Sequence, residues 1–304
     1  MLDLAVVILT YNEEQHLGRA LASVRDIARE IIVVDSYSSD RTVEIAREAG
    51  CVVLQNKFVN QAAQFEWGMQ NATIASSWIM RLDADEIIGS ELAAEIAVRL
   101  PALGPEIAGV NLKRKHIFMN RWIRHGGRYP LILLRIWRKN QGRVESRWMD
   151  EHVVIWGGTA VTFEGDFADH NLNDLTYFID KHNKYATREA IEVLNRKYGL
   201  LKRDEDLTEV STSRQASIKR VIKELVYNRM PLWLGPLGYF LYRYFLQLGF
   251  LDGRPGLIYH FLQGGWYRFL VGAKVEEFDL VLRTGTSREK RLEMLERLTG
   301  YELR

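Results

Sequence analysis

An apolar run of this chain ends in two carboxylates separated by one residue. The run Trp78-Ile79-Met80-Arg81-Leu82 is followed directly by Asp83-Ala84-Asp85. Side chains two residues apart on a strand point to the same face, so both carboxylates are expected at one spot. Mg²⁺ and Mn²⁺ prefer oxygen ligands, and diphosphates bind such cations. The motif therefore predicts a diphosphate site in which Asp85, with Asp83 close by, holds Mg²⁺ or Mn²⁺.

Two further polar turns follow apolar strands earlier in the chain. Residues 4–9 run into Thr10-Tyr11-Asn12-Glu13-Glu14, and residues 31–34 run into Asp35-Ser36. Ligands of parallel α/β sheets bind beyond the carboxyl ends of the strands, so all three turns are expected at one edge. We therefore expect Asp35 to accept hydrogen bonds from a base or ribose, and Thr10 and Glu13 to flank the same crevice. Alternatively, Asp35 only caps the following helix.

The elements that must position these turns alternate along the chain. Helical patterns over residues 17–24, 42–49, 62–72 and 91–100 alternate with strands, the third of which covers residues 51–54. Such alternation favours a parallel α/β sheet with right-handed crossovers. Residues 110–162 are strand-like, and residues 172–198 are helical again.

The composition is that of an ordinary folded protein. Of 304 residues, 47% are hydrophobic and 26% are charged, and the formal net charge is +2. The single cysteine, Cys51, excludes an internal disulfide and is typical of a reducing compartment. No secretory signal pattern is seen in residues 1–9. We therefore expect the protein at the cytoplasmic face of the inner or plasma membrane.

One stretch of the chain is strongly basic although the net charge of the whole chain is low. Residues 113–143 contain ten Lys/Arg and no Asp or Glu. The stretch indicates either a solvated face or a site for an anionic acceptor, such as a lipid diphosphate or membrane head groups. Stacking of nucleic-acid bases on Trp122, Tyr129 and Trp137 is the third interpretation. The low net charge and the lack of a nucleic-acid module speak against it, so no nucleic-acid partner is expected.

Several motifs together resemble those of one enzyme family. The chain is similar to family 2 inverting glycosyltransferases, and its downstream motifs resemble those of bacterial lipopolysaccharide and envelope-polysaccharide members. The motifs that carry the resemblance are Val7-Ile8-Leu9-Thr10-Tyr11-Asn12-Glu13-Glu14, Ile32-Val33-Val34-Asp35-Ser36, Ser39-Asp40-Arg41-Thr42, Leu82-Asp83-Ala84-Asp85-Glu86, Arg135-Ile136-Trp137-Arg138-Lys139, Asp150-Glu151-His152-Val153, Lys181-His182-Asn183-Lys184-Tyr185-Ala186 and Gly249-Phe250-Leu251-Asp252-Gly253-Arg254.

This resemblance implies a GT-A, Rossmann-like fold with a mixed, mostly parallel sheet and helices on both faces. It implies inverting sugar transfer from a nucleotide sugar, with UDP as the expected carrier. Glu151 is the expected general base, and Asp150 is expected to orient it or bind the acceptor; the alternative is a pair of surface carboxylates. His170 is the expected third metal ligand or a ligand of the diphosphate, or else a structural histidine. Further nucleotide-sugar contacts are expected from Tyr11, Ser36, Gln64, Arg81 and Ala84.

The carboxy-terminal third is aromatic and basic. Between residues 231 and 275 the only acid is Asp252. Residues 231–251 are long enough to cross a bilayer, but Pro236 and Arg243 argue against a clean transmembrane helix. Helices with apolar faces, basic residues and aromatic edges lie in the head-group plane. We therefore expect a peripheral membrane anchor, with a packed helical subdomain or an oligomer interface as the alternative.

These patterns predict an α/β catalytic domain (residues 1–175), a helical connector (176–215), membrane-associating amphipathic helices (216–275) and a helical tail (276–304). The predicted function is metal-dependent, inverting sugar transfer to a hydroxyl of a lipid-linked envelope glycan. One alternative is a glycosyltransferase that acts on polyprenyl phosphate. Another is a non-catalytic membrane-binding scaffold with a vestigial nucleotide fold. The oligomeric state is left open.

Overall fold

The structure is a computed structural model that describes residues 1–145, 152–201 and 232–303. The chain divides into two compact units, Met1–Asn173 (unit 1) and Asp174–Arg304 (unit 2). The predicted base Glu151 and its neighbour Asp150 lie outside the described residues. So do residues 202–231 of the predicted connector and membrane-associating segments.

Unit 1 contains eleven strands and four α-helices in its described residues. The strands are β1 (Leu4–Thr10), β2 (Glu30–Asp35), β3 (Val52–Gln55), β4 (Trp78–Asp83), β5 (Glu86–Ile88), β6 (Ile107–Phe118), β7 (Arg121–Trp122), β8 (Leu131–Arg138), β9 (Gly142–Val144), β10 (Val153–Ile155) and β11 (Thr159–His170). The helices are α1 (Leu17–Val24), α2 (Thr42–Glu48), α3 (Gln61–Asn71) and α4 (Ser90–Arg99), and Leu100–Ala102 form one 3₁₀ turn.

The main sheet of unit 1 is mixed. Its strand order is β3-β2-β1-β4-β8-β6-β11-β5, with β7 paired to β6. Strands β3, β2, β1 and β4 are all parallel, and β8 joins them antiparallel to β4. Strand β11 then runs parallel to β6, while β9 and β10 form a separate antiparallel pair. The predicted mixed α/β architecture of a GT-A fold is therefore confirmed.

Helices cover both faces of this sheet. Along β1, Val6 belongs to the core cluster that includes α1 and α4, whereas Val7 packs with Phe65 of α3 on the opposite face. Both valines are completely buried. A central parallel strand that is buried on both faces reads as a continuous apolar run. This is why residues 4–9 show no polar alternation.

Unit 2 is helical in its described residues. Its α-helices are α5 (Leu175–Tyr198), α6 (Leu234–Leu241), α7 (Gly253–His260), α8 (Tyr267–Leu282) and α9 (Arg288–Thr299). The π-helical turn Tyr242–Leu246 and the 3₁₀ turn Gly249–Asp252 lie between α6 and α7, and a second π-helical turn, Phe261–Trp266, lies between α7 and α8. No helix in the described ranges combines the length and the apolar character needed to cross a membrane.

A charged cluster joins α5 to α8. Buried Asp279 of α8 accepts hydrogen bonds from Lys197 Nζ at 2.7 Å, from the Tyr198 hydroxyl at 2.6 Å and from Arg283 Nε at 2.8 Å. Burial alone would raise the pKa of Asp279, but these hydrogen bonds outweigh it and lower the pKa to about 2. Asp279 is therefore an ionised anchor between the two helices.

Candidate functional site

Three predicted site residues meet at the carboxyl ends of neighbouring parallel strands. Thr10 ends β1 and lies in register with Asp35, which ends β2. Asp83 ends β4 and is in register with Leu9 of β1. Because β2, β1 and β4 are adjacent and parallel, these residues share one sheet edge, as their positions after the apolar runs predicted.

Asp35 is completely buried at this edge. Its carboxylate accepts hydrogen bonds from Thr10 Oγ1 at 3.0 Å, from the Ser38 amide at 2.9 Å and from Gln55 Nε2 at 3.1 Å. It therefore joins β1, β3 and its own loop rather than capping α2. The start of α2 is instead met by Asp40, which accepts a hydrogen bond from the Thr42 amide at 3.0 Å. Contact between Asp35 and a base or ribose stays a prediction.

The loops after β1 and β2 are locked together. The Asn12 amide donates to Ser38 Oγ at 2.8 Å, and the Ser39 amide donates to Asn12 Oδ1 at 2.9 Å. Tyr11 lies beside this lock with its side chain 62% exposed. These hydrogen bonds hold the two loops in a fixed arrangement at the sheet edge. The exposed Tyr11 ring is a flat surface on which a base can stack.

Gln64 and Ser36 form part of the same edge. Gln64 is buried, and its amide nitrogen donates to Ser36 Oγ and to the Asn56 carbonyl, both at 3.1 Å. Its oxygen accepts from Asn56 Nδ2 at 2.9 Å. Gln64 thus supports the Ser36 loop through partners within the protein, and its direct contact with a nucleotide sugar stays a prediction.

Two arginines bracket Asp83. Arg81 Nε and Arg135 Nη2 each lie 3.5 Å from a different carboxylate oxygen of Asp83. Burial raises the pKa of Asp83, but the charges of Arg81 and Arg135 outweigh this and hold it below its usual range. Arg81 also donates to Gln61 Oε1 at 3.0 Å. The buried Ala84 follows, and the chain then turns away from β4 toward β5.

Glu86 lies next to Asp83 and Arg135. Its role was not predicted from the sequence. It is buried, accepts a hydrogen bond from the Asp83 amide at 2.9 Å and pairs with Arg135 Nη2 at 2.5 Å. Burial raises the pKa of Glu86 against the opposing charge of Arg135. Arg135 is the only charged residue within the apolar run 131–137. A lone charge in a buried strand was the signal that could have identified this pair.

Asp85 has different partners from Asp83. Its Oδ2 accepts from Asn171 Nδ2 at 2.9 Å, and its carbonyl oxygen accepts from the His170 amide at 2.9 Å. Arg19 of α1 donates to the His170 carbonyl at 2.9 Å and lies 3.3 Å from His170 Nδ1. The turn after β4 is therefore tied to the end of β11 by a backbone contact between Asp85 and His170. The binding of one ion by these two side chains stays a prediction.

His16 is a second residue that sequence reasoning missed. The Leu172 amide donates to His16 Nε2 at 2.9 Å, so His16 Nδ1 carries the proton and donates to Glu13 Oε2 at 2.6 Å. His16 is almost completely buried. The predicted site residue Glu13 is thereby held by a histidine that also positions the segment after β11. A histidine directly before the apolar stripe of α1 was the available signal.

The residues around Asp85 fit a divalent cation in chemical type. Burial and the charge of Arg19 lower the pKa of His170, which favours the neutral imidazole that metal binding requires. Among the described residues, no cluster of three or more His, Cys, Asp or Glu surrounds a common point. Mg²⁺ and Mn²⁺ are often held by one or two protein groups with phosphate and water supplying the rest. Asp83 as an additional ligand stays a prediction.

Much of the basic stretch 113–143 has partners inside unit 1. Lys115 pairs with Asp166 at 2.8 Å, and Lys113 pairs with Glu164, both acids being on β11. Arg138 donates to the carbonyl of Ile107 at 2.9 Å. Acids that are distant in sequence therefore neutralise part of the basic stretch, and its role as a solvated face or an anionic-acceptor site stays a prediction.

The sequence matches known glycosyltransferases over limited lengths. It is 35% identical over 96 residues to an uncharacterized glycosyltransferase of Rickettsia typhi, which is 32% of each protein. It is 36% identical over 93 residues to the prophage-derived glycosyltransferase SunS of Bacillus subtilis, which is 30% of this chain and 22% of that protein. The chain thus spans about a third or less of the length of these relatives.

Solved structures give more distant likenesses. Residues 1–349 of S. aureus TarS superpose with a TM-score of 0.41 and 13% identity over 92% of each chain. Glucosyl-3-phosphoglycerate synthase from Mycobacterium tuberculosis, in complex with Mn²⁺ and UDP, gives a TM-score of 0.31 and 23% identity over 37% of this chain and 43% of that one.

The sequence profile described as Glycosyl transferase family 2 matches residues 5–170. This range begins in β1, ends with His170 and includes Thr10, Asp35, Asp83 and Asp85. Because it covers more than half of the chain and the strand-edge carboxylates lie within it, this protein belongs to glycosyl transferase family 2.

Proposed function

We propose that this protein is a metal-dependent, inverting glycosyltransferase. It transfers a sugar from a UDP-sugar donor to a hydroxyl of a lipid-linked envelope glycan at the cytoplasmic face of the inner or plasma membrane. Family membership supports the transferase activity, and the motif resemblance supports the choice of UDP and of the acceptor class. The observation that carries the proposal is the position of Asp85, which lies two residues after Asp83 in the sequence and whose carbonyl oxygen accepts a hydrogen bond from the His170 amide.

Each part of the edge has a task in this reaction. Tyr11 stacks on the base, and the loop held by Asp35 surrounds the nucleoside. Asp85 and His170 would hold the cation, which when bound would supply positive charge to stabilise the departing diphosphate. Burial of His170 and the charge of Arg19 lower the pKa of His170 and so favour its neutral form.

Inversion requires one base that takes the proton of the attacking hydroxyl. Glu151 is the base we propose, and Asp150 orients it or binds the acceptor. Glu151→Gln is expected to abolish transfer while nucleotide binding by calorimetry is retained. Asp150→Asn is the matched comparison, since it changes the adjacent carboxylate in the same way. Wild-type turnover in Glu151→Gln would reject Glu151 as the base.

A thermal-shift screen of nucleotide sugars with and without Mn²⁺ tests the donor. A UDP-sugar is expected to raise the melting temperature only when the cation is present, because the diphosphate and the cation bind together. Metal-dependent hydrolysis of the same donor separates an enzyme from a non-catalytic scaffold. Transfer to polyprenyl phosphate rather than to a lipid-linked glycan would change the acceptor but keep the donor site.

A further inference from the structure

The connection between two helical arms of unit 2 displays a group of apolar side chains. The first arm is α6 with the turn Tyr242–Leu246, and the second begins with α7. The arms are in contact, since the rings of Phe240 and Phe261 lie 5.7 Å apart. We call residues 245–251 the hairpin tip. Its large apolar side chains, each at least 43% exposed, are Phe245, Leu246, Leu248, Phe250 and Leu251.

Packing beneath the hairpin tip holds its backbone in place. Gly249 is buried against His260, and a Cβ atom at this position would lie 2.6 Å from the imidazole. Asp252 is also buried, and its Oδ2 lies 3.8 Å from His260 Nε2. Gly256 approaches Asp252 equally closely. The apolar side chains are therefore presented by an ordered turn whose inner side is already filled, so they have no space to fold inward.

The charges around the hairpin tip are positive where they are exposed. Within described residues 232–275 the only acid is Asp252, and it is buried. Arg254 is exposed directly after the tip. Arg268, further along the second arm, lies over the ring of Tyr239 at 4.1 Å. Apolar side chains flanked by arginine and aromatic residues are typical of segments that lie at the head-group boundary of a bilayer.

We propose that the hairpin tip inserts into an anionic lipid bilayer. Phe245, Leu246 and Leu251 enter the boundary between head groups and acyl chains, and Arg254 pairs with lipid phosphates. Self-association through the same surface is disfavoured. It would bring the exposed Arg254 of two copies together, and described residues 232–275 contain no exposed carboxylate to pair with either. The inference deepens the membrane location proposed above, but lipid binding can be measured without any sugar transfer.

Vesicle flotation of the full-length protein tests the insertion. We expect the wild type to float with phosphatidylcholine vesicles that contain phosphatidylglycerol. The variants Leu246→Glu and Leu251→Glu are each expected to lower the bound fraction roughly tenfold, since a charge replaces an inserting apolar side chain. Val98→Glu in unit 1 is the matched control, because Val98 is 75% exposed and Leu246 is 76% exposed. It is expected to float like the wild type.

Two further measurements complete the experiment: one removes a positive charge, and the other determines the oligomeric state. Arg254→Gln is expected to weaken binding to the anionic vesicles several-fold and to leave binding to pure phosphatidylcholine unchanged. Equal losses on both vesicles would reject the phosphate pairing. A wild type that stays unbound, or a Leu246→Glu variant that floats fully, would reject insertion. Light scattering measures the oligomeric state of the protein without vesicles. If the wild type does not float and forms a dimer that Leu246→Glu dissociates, the hairpin tip is a self-association surface instead.

Discussion

The backbone amide of His170 donates a hydrogen bond to the carbonyl oxygen of Asp85 at 2.9 Å. His170 ends β11 and Asp85 lies just after β4, so this hydrogen bond joins the carboxyl end of β11 to the turn that follows β4. Asn171 adds a side-chain hydrogen bond to the Asp85 carboxylate. This relationship ties the backbone of the turn after β4 to the end of β11, so the proposed cation site depends on both strands.

Removal of the Asp85 carboxylate is expected to remove metal binding. Asp85→Asn should lower Mn²⁺ affinity by about 100-fold or more. Asn171→Ala, which removes the hydrogen bonds of Asn171 to Asp85 and to the Asn173 amide, should lower it by about 10-fold. Titration calorimetry with Mn²⁺ and UDP measures both. Asp26→Asn, at an exposed carboxylate after α1, is the control and should bind like the wild type. Unchanged Mn²⁺ affinity in Asp85→Asn would exclude it as a ligand.

Loss of the Arg135 guanidinium is expected to destabilise unit 1. Arg135→Met leaves the buried Glu86 and the adjacent Asp83 without their shared cation, which should reduce the free energy of unfolding by about 3–5 kcal/mol. Urea denaturation measures the change. The second substitution Glu86→Gln should restore part of the loss, because it removes one of the two carboxylates that have lost Arg135. Arg121→Met, at an exposed arginine of β7, should change the stability by less than about 0.5 kcal/mol.

Tyr11 is expected to contribute to donor affinity but not to stability. Tyr11→Ala should raise the KM for the nucleotide sugar roughly tenfold, since stacking on one base is worth about 1–3 kcal/mol. The melting temperature should stay the same because the side chain is largely exposed. Tyr11→Phe keeps the ring and should restore the wild-type KM. If Tyr11→Phe is as impaired as Tyr11→Ala, the hydroxyl rather than stacking is responsible.

The Asp279 cluster predicts acid sensitivity of unit 2. The folded pKa of about 2 is below the ordinary 3.8, so the unfolded chain binds the proton first as the pH falls. The stabilisation, about 2 kcal/mol, is fully present above about pH 4 and is lost as the pH falls toward 2. The melting temperature of the wild type minus that of Asp279→Asn should therefore shrink through this window. Glu276→Gln, at an exposed acid of α8, should show no such trend.

The apolar runs and their acidic ends were readable in the sequence because they are local patterns. A strand that is buried on both faces must be apolar throughout, and parallel strands must end at a common edge. Thr10, Asp35 and Asp83 therefore reach the same edge, whatever the details of the packing. The helix starts at Asn60, Asp174 and Ser287 are local in the same way, since each side chain accepts a hydrogen bond from a backbone amide three residues later.

The partners of the charged side chains were decided only by the tertiary structure. Arg135 meets Glu86 because β8 adds next to β4 in antiparallel register, and Lys115 meets Asp166 because β11 runs beside β6. No spacing in the chain encodes such distant pairings. Tertiary packing also determines three other features of the site. These are the burial of Asp35, the contact between His16 and the Leu172 amide, and the contact between Asp85 and His170. Sequence periodicity reports which face of its own element a residue occupies, whereas the neighbour on that face is selected by how the elements pack.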